Sequence, residues 1–403
     1  MKLHSLVLMV VLTAVSYTYS QNFWEKTAGP DTATTNSLAV NSNGDIFAAT
    51  SDGVFRSTDN GDTWFNLGIN KAIRLVFIGP NEDVIITTSQ QGPIFCSDDN
   101  GFSWTPIGCT SWQTSIAINS DGDIFAGTAN IGMYRTSDNG NNWIQINQGL
   151  FNTHINSLII NSNQEIFAGT MFGGVFRSTD NGENWIQMNQ GLTSNYITSF
   201  AINSTGDIFA GASGQDVFRS TNNGENWVEI NQGLTHTEGY YIHSLAINSY
   251  GDIFAGTADG VFQSTDNGDN WVQFNQGLIN LGVLSLGINS DNKIFAGTPE
   301  GIFRSTNDST FTKNISSFDL YQNYPNPFNP ATRISWQSPV GSWQTLKIYD
   351  VLGNEVATLV AEYKEVGRYE INFDASGLSS GIYLYRIQAG QGYAETKKMT
   401  LLK

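Results

Sequence analysis

The chain has 403 residues, of which 40 % are hydrophobic and only 14 % charged, and its formal net charge is −17. That length and apolar content are enough for two or three packed domains and exclude a disordered chain. The acidity would repel phosphate backbones and anionic lipid headgroups, so nucleic acid and membrane surfaces are excluded as partners in favour of a glycan, a protein or a cation.

Residues 1–20 read as a secretory signal: Lys2 gives a positive start, Leu6 to Val15 an apolar stretch, and Thr18 and Ser20 are small enough for a cleavage site. No later apolar run is long enough to span a bilayer, so no transmembrane anchor is expected. Residues 21–312 are expected to form one repeat domain. Trp64, Trp104, Trp143, Trp185, Trp227 and Trp271 recur 40, 39, 42, 42 and 44 residues apart, each at the end of a turn such as Ser57-Thr-Asp-Asn-Gly-Asp-Thr-Trp64. A period near forty with short apolar runs between turn residues predicts four-stranded units set round an axis.

The sixth unit divides into strand A over 244–248, B over 252–257, C over 260–264 and D over 270–275, with hairpin turns at Asn248 to Asp252 and at Asp266 to Gly268. Strand A starts seven times, near Ser37, Ile73, Thr114, Asn156, Thr198, Ser244 and Leu284. The seventh unit begins its turn at Ser305 but supplies no Gly and no Trp. Trp24 precedes Trp64 by one period, so the segment at Asn22 to Gly29 is expected to be the missing strand D and to close the ring. The fold class expected is therefore all-β, a seven-bladed β-propeller followed by a small C-terminal β-sandwich.

The repeated Ser/Thr-x-Asp-x-Gly-x-x-Trp resembles the Asp-box of sialidase-like, sortilin-like and xyloglucanase-like β-propellers. It is complete or nearly so in six units, with Asn222 replacing Asp in the fifth. The resemblance implies a structural turn between strands C and D for Asp59, Trp64, Asp99, Trp104, Asp138, Trp143, Asp180, Trp185, Trp227, Asp266 and Trp271. Physically, a short carboxylate accepts from backbone N–H groups of its own turn, Gly permits positive φ, and Trp fills space between neighbours.

Antiparallel strands put the A–B and C–D turns on one face and the B–C and D–A connections on the other. The first set is uniform and the second varies from unit to unit. The varied face carries Trp112, Phe151, His154, Phe172, Tyr196, Glu238, Tyr240, Tyr241 and Asp259, together with Asp52, Asp216, His236 and Glu300. Aromatic platforms beside amides and carboxylates on a rigid scaffold make this the expected ligand face, with an extracellular glycan or protein as its partner.

A glycoside hydrolase is the alternative, with Glu238, Asp259, Glu300 and Asp52 as candidate carboxylates whose separations the sequence does not define. Arg56, Arg135, Arg177, Arg219 and Arg304 share one repeat position just before the turn, so they belong with the structural turns rather than with a central arginine cluster. His154, His236 and His243 lack metal-ligand spacing, and no metal or cofactor is expected. Cys96 and Cys109 could bond in an oxidising compartment, but a hairpin turning at Asp99 pairs Cys96 with a residue near Thr105 and leaves Cys109 out of register.

Past Phe311 the composition changes. Residues 313–330, ending in Tyr324-Pro-Asn-Pro-Phe-Asn-Pro330, are expected as a proline-rich linker, and 331–403 as a second all-β domain. From about residue 320 the chain resembles the type A C-terminal sorting domain of the type IX secretion system, through Tyr324 to Pro330, Ile348-Tyr-Asp-Val-Leu-Gly353, Leu378-Ser-Ser-Gly-Ile-Tyr383 and Lys397 to Lys403. The resemblance implies that the type IX machinery is a partner of 320–403 and that the protein crosses the periplasm to the outer cell surface or the medium.

Overall fold

The computed structural model describes residues 23–30, 33–109, 111–214, 216–234, 241–306, 318–323, 326–364, 367–390 and 392–402. The expected signal over 1–20, the loop residues His236, Glu238 and Tyr240, and the tip of the expected linker lie outside them. Among the described residues all the regular elements are strands.

Seven four-stranded antiparallel sheets follow one another along the chain, each with its strands in the spatial order A-B-C-D. Strand A of the first blade is Thr35–Val40 and strand B is Ile46–Thr50, whose five residues are all buried. Strand B of blades three to seven repeats Ile-Phe-Ala-Gly with the same complete burial, as at Ile166–Thr170, because it is covered on both sides by neighbouring blades. Its small residues let those blades approach: a Cβ on Gly169 would lie 2.6 Å from Ile197 of the next blade.

The seventh sheet joins the two ends of the domain. Its inner strands are Ser285–Ile288, Ile294–Thr298 and Gly301–Ser305, and its outer strand is Trp24–Lys26, with Trp24 opposite Ser305 and Lys26 opposite Phe303. Trp24 is 1 % exposed. Its indole Nε1 donates to Phe274 O of blade six at 2.7 Å, just as Trp185, Trp227 and Trp271 donate to Ile146 O, Met188 O and Ile230 O of their preceding blades.

The outer strands are shorter than the sequence suggests. In blade six strand D is Val272–Gln273 rather than 270–275. Asn270 N is taken by the turn carboxylate of Asp266, and Trp271 N turns away to Gln232 O of blade five, so both leave the ladder.

The second domain is a sandwich of seven strands. Asp319–Leu320, Ala331–Ser338 and Gly367–Asp374 form one sheet; Ser342–Tyr349, Glu355–Lys364, Gly381–Ala389 and Tyr393–Leu401 form the other. Ile334, Trp336, Leu346, Ile348, Tyr385 and Met399 fill the space between them. The stretch expected as a linker up to residue 330 is part of this domain from Asp319 on. Phe328 is 2 % exposed and Asn323 fully buried, with Asn323 N bonded to the Tyr385 hydroxyl, so these residues pack as part of the sandwich.

Candidate functional site

The uniform face is tied together turn by turn. Asp99 Oδ1 accepts from Ser103 N at 2.8 Å and from Ser97 Oγ at 2.7 Å, and its Oδ2 accepts from Ser103 Oγ. These bonds, led by that from the Ser103 hydroxyl, hold its carboxyl down at about 2. Asp59, Asp138, Asp180 and Asp266 bond in the same way to Thr63, Asn142, Asn184 and Asn270. In blade five Asn222 Oδ1 accepts from Asn226 N at 3.0 Å.

Neighbouring blades are latched on this face. Arg56, Arg177, Arg219 and Arg304 donate to Asn100 O, Asn223 O, Asn267 O and Asn60 O in the turn of the following blade, and Arg135 pairs with Asp123. The five repeat arginines are thus occupied. The C-terminal sandwich sits on the same face: Arg333 Nη1 donates to Ser290 O at 2.6 Å, and Asn292 Nδ2 to Glu370 at 3.4 Å. A cavity of about 730 Å³ lies between it and the end of the central channel.

The opposite mouth of the channel is open, a space of about 510 Å³ lined by strand A of all seven blades. One position per blade forms its rim: Asn36, Arg74, Thr114, Asn156, Thr198, His243 and Leu284. In the first five blades the pairing of strands A and B shifts at this position, as between Ile73 and Leu75, so the rim residue is the extra residue of a β-bulge. A bulge takes a residue out of the ladder and re-aims its side chain. Asn36, Thr114, Asn156 and Thr198 use that freedom to donate to the next blade's strand A, at Ile73 O, Ile155 O, Ile197 O and Ile242 O.

Arg74 departs from the pattern. It has no hydrogen-bond or ion-pair partner among the described residues, and burial alone pushes its guanidinium below the usual arginine range. Its Cζ lies 5.8 Å from the ring centroid of Trp112. His243, nearly opposite on the rim, is likewise held below the ordinary histidine value by burial.

Above the rim, the residue two positions before each rim residue is Trp112, His154, Tyr196 and Tyr241 in blades three to six, and Thr34, Ala72 and Gly282 in blades one, two and seven. In the first five blades a backbone bond marks the position: Thr34 O, Ala72 O, Trp112 O, His154 O and Tyr196 O each accept from the first N–H after strand B of their own blade. The rings therefore make an arc over one side of the mouth, with small residues on the other. Phe172 lies 5.2 Å from Tyr196, Tyr196 5.3 Å from Tyr241, and Tyr241 6.1 Å from His243, centroid to centroid. Burial, and then the neighbouring Arg74 charge, keep His154 below its ordinary value.

Of the residues expected on the ligand face, Trp112, His154, Tyr196 and Tyr241 stand in this arc and Phe172 extends it. Phe151 stands apart, 69 % exposed and packed edge-on against Phe176. Asp259 sits in a B–C turn, its N–H bonded to Thr257 Oγ1, and does not line the mouth. Glu238 and Tyr240 are outside the described residues. Sequence reasoning missed Arg74 and His243 as a pair on one rim; the signal available was that Arg74 falls where four other repeats carry Asn or Thr. Among the described residues no group of three His, Cys, Asp or Glu side chains is placed to hold a metal ion.

Over residues 322–401 the chain matches the family described as the secretion system C-terminal sorting domain. It therefore carries a type IX sorting domain, and the protein is exported to the cell surface or secreted. No curated protein matches the chain. Its fold is similar to that of the extracellular domain of the two-component system BT4673 from B. thetaiotaomicron, at 17 % identity and a TM-score of 0.61, covering 79 % of this chain and 46 % of that one. It is also similar to PorZ, a surface component of the type IX secretion system of Porphyromonas gingivalis (14 %, TM-score 0.54, 92 % and 59 % covered), and to YCF48 bound to D1 peptide (18 %, TM-score 0.58, 71 % and 98 % covered). The chain spans about half the length of the first of these structures. At such identities the likeness is one of fold.

Proposed function

We propose that this is a surface or released β-propeller of the Asp-box type that binds a glycan or protein ligand on its varied-loop face, over the open mouth of the channel. The observation that carries the reading is the one-sided arc of Trp112, His154, Tyr196 and Tyr241 facing Thr34, Ala72 and Gly282. Rigid rings on one side and an open floor on the other give an extended ligand a wall to lie against and a direction to run. The uniform face is engaged in blade latches and in the sorting domain, which supports assigning recognition to the other end. The propeller YCF48 has been seen with a bound peptide, which is compatible with a ligand role for such rings of blades.

Binding is the reading favoured because the polar groups lining the mouth are hydroxyls, amides, Arg74 and His243, set among apolar side chains such as Phe77 and Phe200, a mixture suited to holding a ligand. The test is screening of the full chain against arrayed glycans and extracellular proteins, followed by titration of the best ligand with Trp112→Ala and Tyr196→Ala. Each variant should bind at least about tenfold more weakly, the loss of an aromatic anchor, at an unchanged melting temperature. Unaltered affinity in both would remove the arc from the binding site.

A further inference from the structure

We infer that the channel mouth is a subsite for a sugar acid, with Arg74 as the group that takes the carboxylate; this rests on the reading of the loop face as the binding face. Arg74 differs from every other repeat-position arginine in the ring. Arg56, Arg135, Arg177, Arg219 and Arg304 each hold a carbonyl or a carboxylate of a turn. Arg74 holds none among the described residues, although it is half-buried at the mouth. A partly buried guanidinium with no neutralising partner gains more from an incoming anion than one in open solvent does.

Its setting prepares it for that. The bulge at Ile73 and Leu75 removes it from the ladder, and Trp112 lies against it, leaving the N–H edges to make a two-pronged contact with a carboxylate. His243 adds a neutral imidazole across the mouth.

The rim also selects the kind of molecule that carries the acid. A peptide running into the channel would look for strand-A backbone groups, but Asn36, Thr114, Asn156 and Thr198 already occupy the carbonyls at Ile73, Ile155, Ile197 and Ile242. What stays available is the set of hydroxyl and amide oxygens of Asn36, Thr114, Asn156 and Thr198 beneath an arc of aromatic rings. A ring bearing several hydroxyls and one carboxylate matches both, its apolar face against Tyr196 or Trp112 and its polar edge towards the rim.

The experiment is calorimetric titration of the full chain with tetrasaccharides containing glucuronate, galacturonate or mannuronate, each beside its carboxyl-reduced, neutral counterpart. At least one acid form should bind, about tenfold or more tighter than its neutral twin. R74Q should bring the pair together, and R74K should keep part of the difference because it retains the charge without the fork. Melting temperatures of both variants should match that of the unaltered chain. Equal binding of acid and neutral forms, retained discrimination in R74Q, or binding only of acidic peptides would overturn the subsite. If the two forms bind equally and both are lost in Tyr196→Ala, the loop-face reading stands and the carboxylate subsite alone fails.

Discussion

Asp99 shows how a single side chain builds the blade corner. Its carboxylate gathers the backbone N–H and hydroxyl of Ser103 and the hydroxyl of Ser97, and these bonds hold its acidity at about 2. Because the folded value lies below the ordinary carboxylate value, the contribution is fully present above about pH 4 and is lost as pH falls through 2. The melting temperature should therefore drop between pH 4 and pH 2, and Asp99→Asn should narrow that drop while leaving the fold intact. Asn222, which keeps the backbone half of the contact in blade five, shows that the amide is tolerated. A variant with the same acid profile as the unaltered chain would place the sensitivity elsewhere. The turn residues were legible in the sequence because their work is local: the acceptor, its donor and the Gly lie within five positions. Arg74 was not, because its meaning depends on what six other blades bring to the same rim.

At the level of the element, the junction between blades depends on backbone approach. Gly149, Gly191 and Gly233, each in an Asn-Gln-Gly-Leu segment after strand D, have φ near +90°, and a Cβ on any of them would lie 2.2 Å from the carbonyl oxygen of the next blade's Trp. Gly206, in an A–B turn, has φ of +91° but open space around its Cβ position. Gly206→Ala should cost about 1 kcal/mol, the conformational strain alone, whereas Gly191→Ala adds a clash with backbone and should cost about 2–4 kcal/mol in urea unfolding. Equal losses would mean that the blades slide apart freely. Strand D was overestimated from the sequence, since the same approach that demands Gly191 draws Trp227 N to Gln190 O and out of the ladder.

On the scale of the whole molecule, the two ends of the channel are divided between different tasks. The latched, uniform end receives the sorting domain through Arg333, Ser335 and Glu370, while the bulged rim and the aromatic arc remain open at the other. Blade number was readable from the Trp period, and the sandwich from its alternating strands. The proline-rich border was misjudged because Phe328 and Asn323 are buried by strands far along the sequence, Phe328 N reaching Thr400 O. Proline in a sequence reports where a ladder stops, not where a domain does.

The composite seventh blade also governs the order in which the ring comes into being. Glu25 and Arg304, bonded at 2.6 Å, are 279 residues apart, so the strand of the propeller that is synthesised before the others is the last to find its partners. Until blade seven arrives, the indole of Trp24 can cover only the edge of blade six, and the ring is an open arc with two sticky ends. Closing a loop of that length adds little to the equilibrium cost, since each doubling contributes only about 0.6 kcal/mol, but it delays the encounter. A permuted chain with residues 23–29 moved behind Ser305 through an Asn-Gly turn should refold faster at an unchanged guanidinium midpoint; equal rates would show that the ends meet early. In the native order, the propeller becomes a ring only after its seventh blade has been made, so every chain interrupted earlier keeps both edges open.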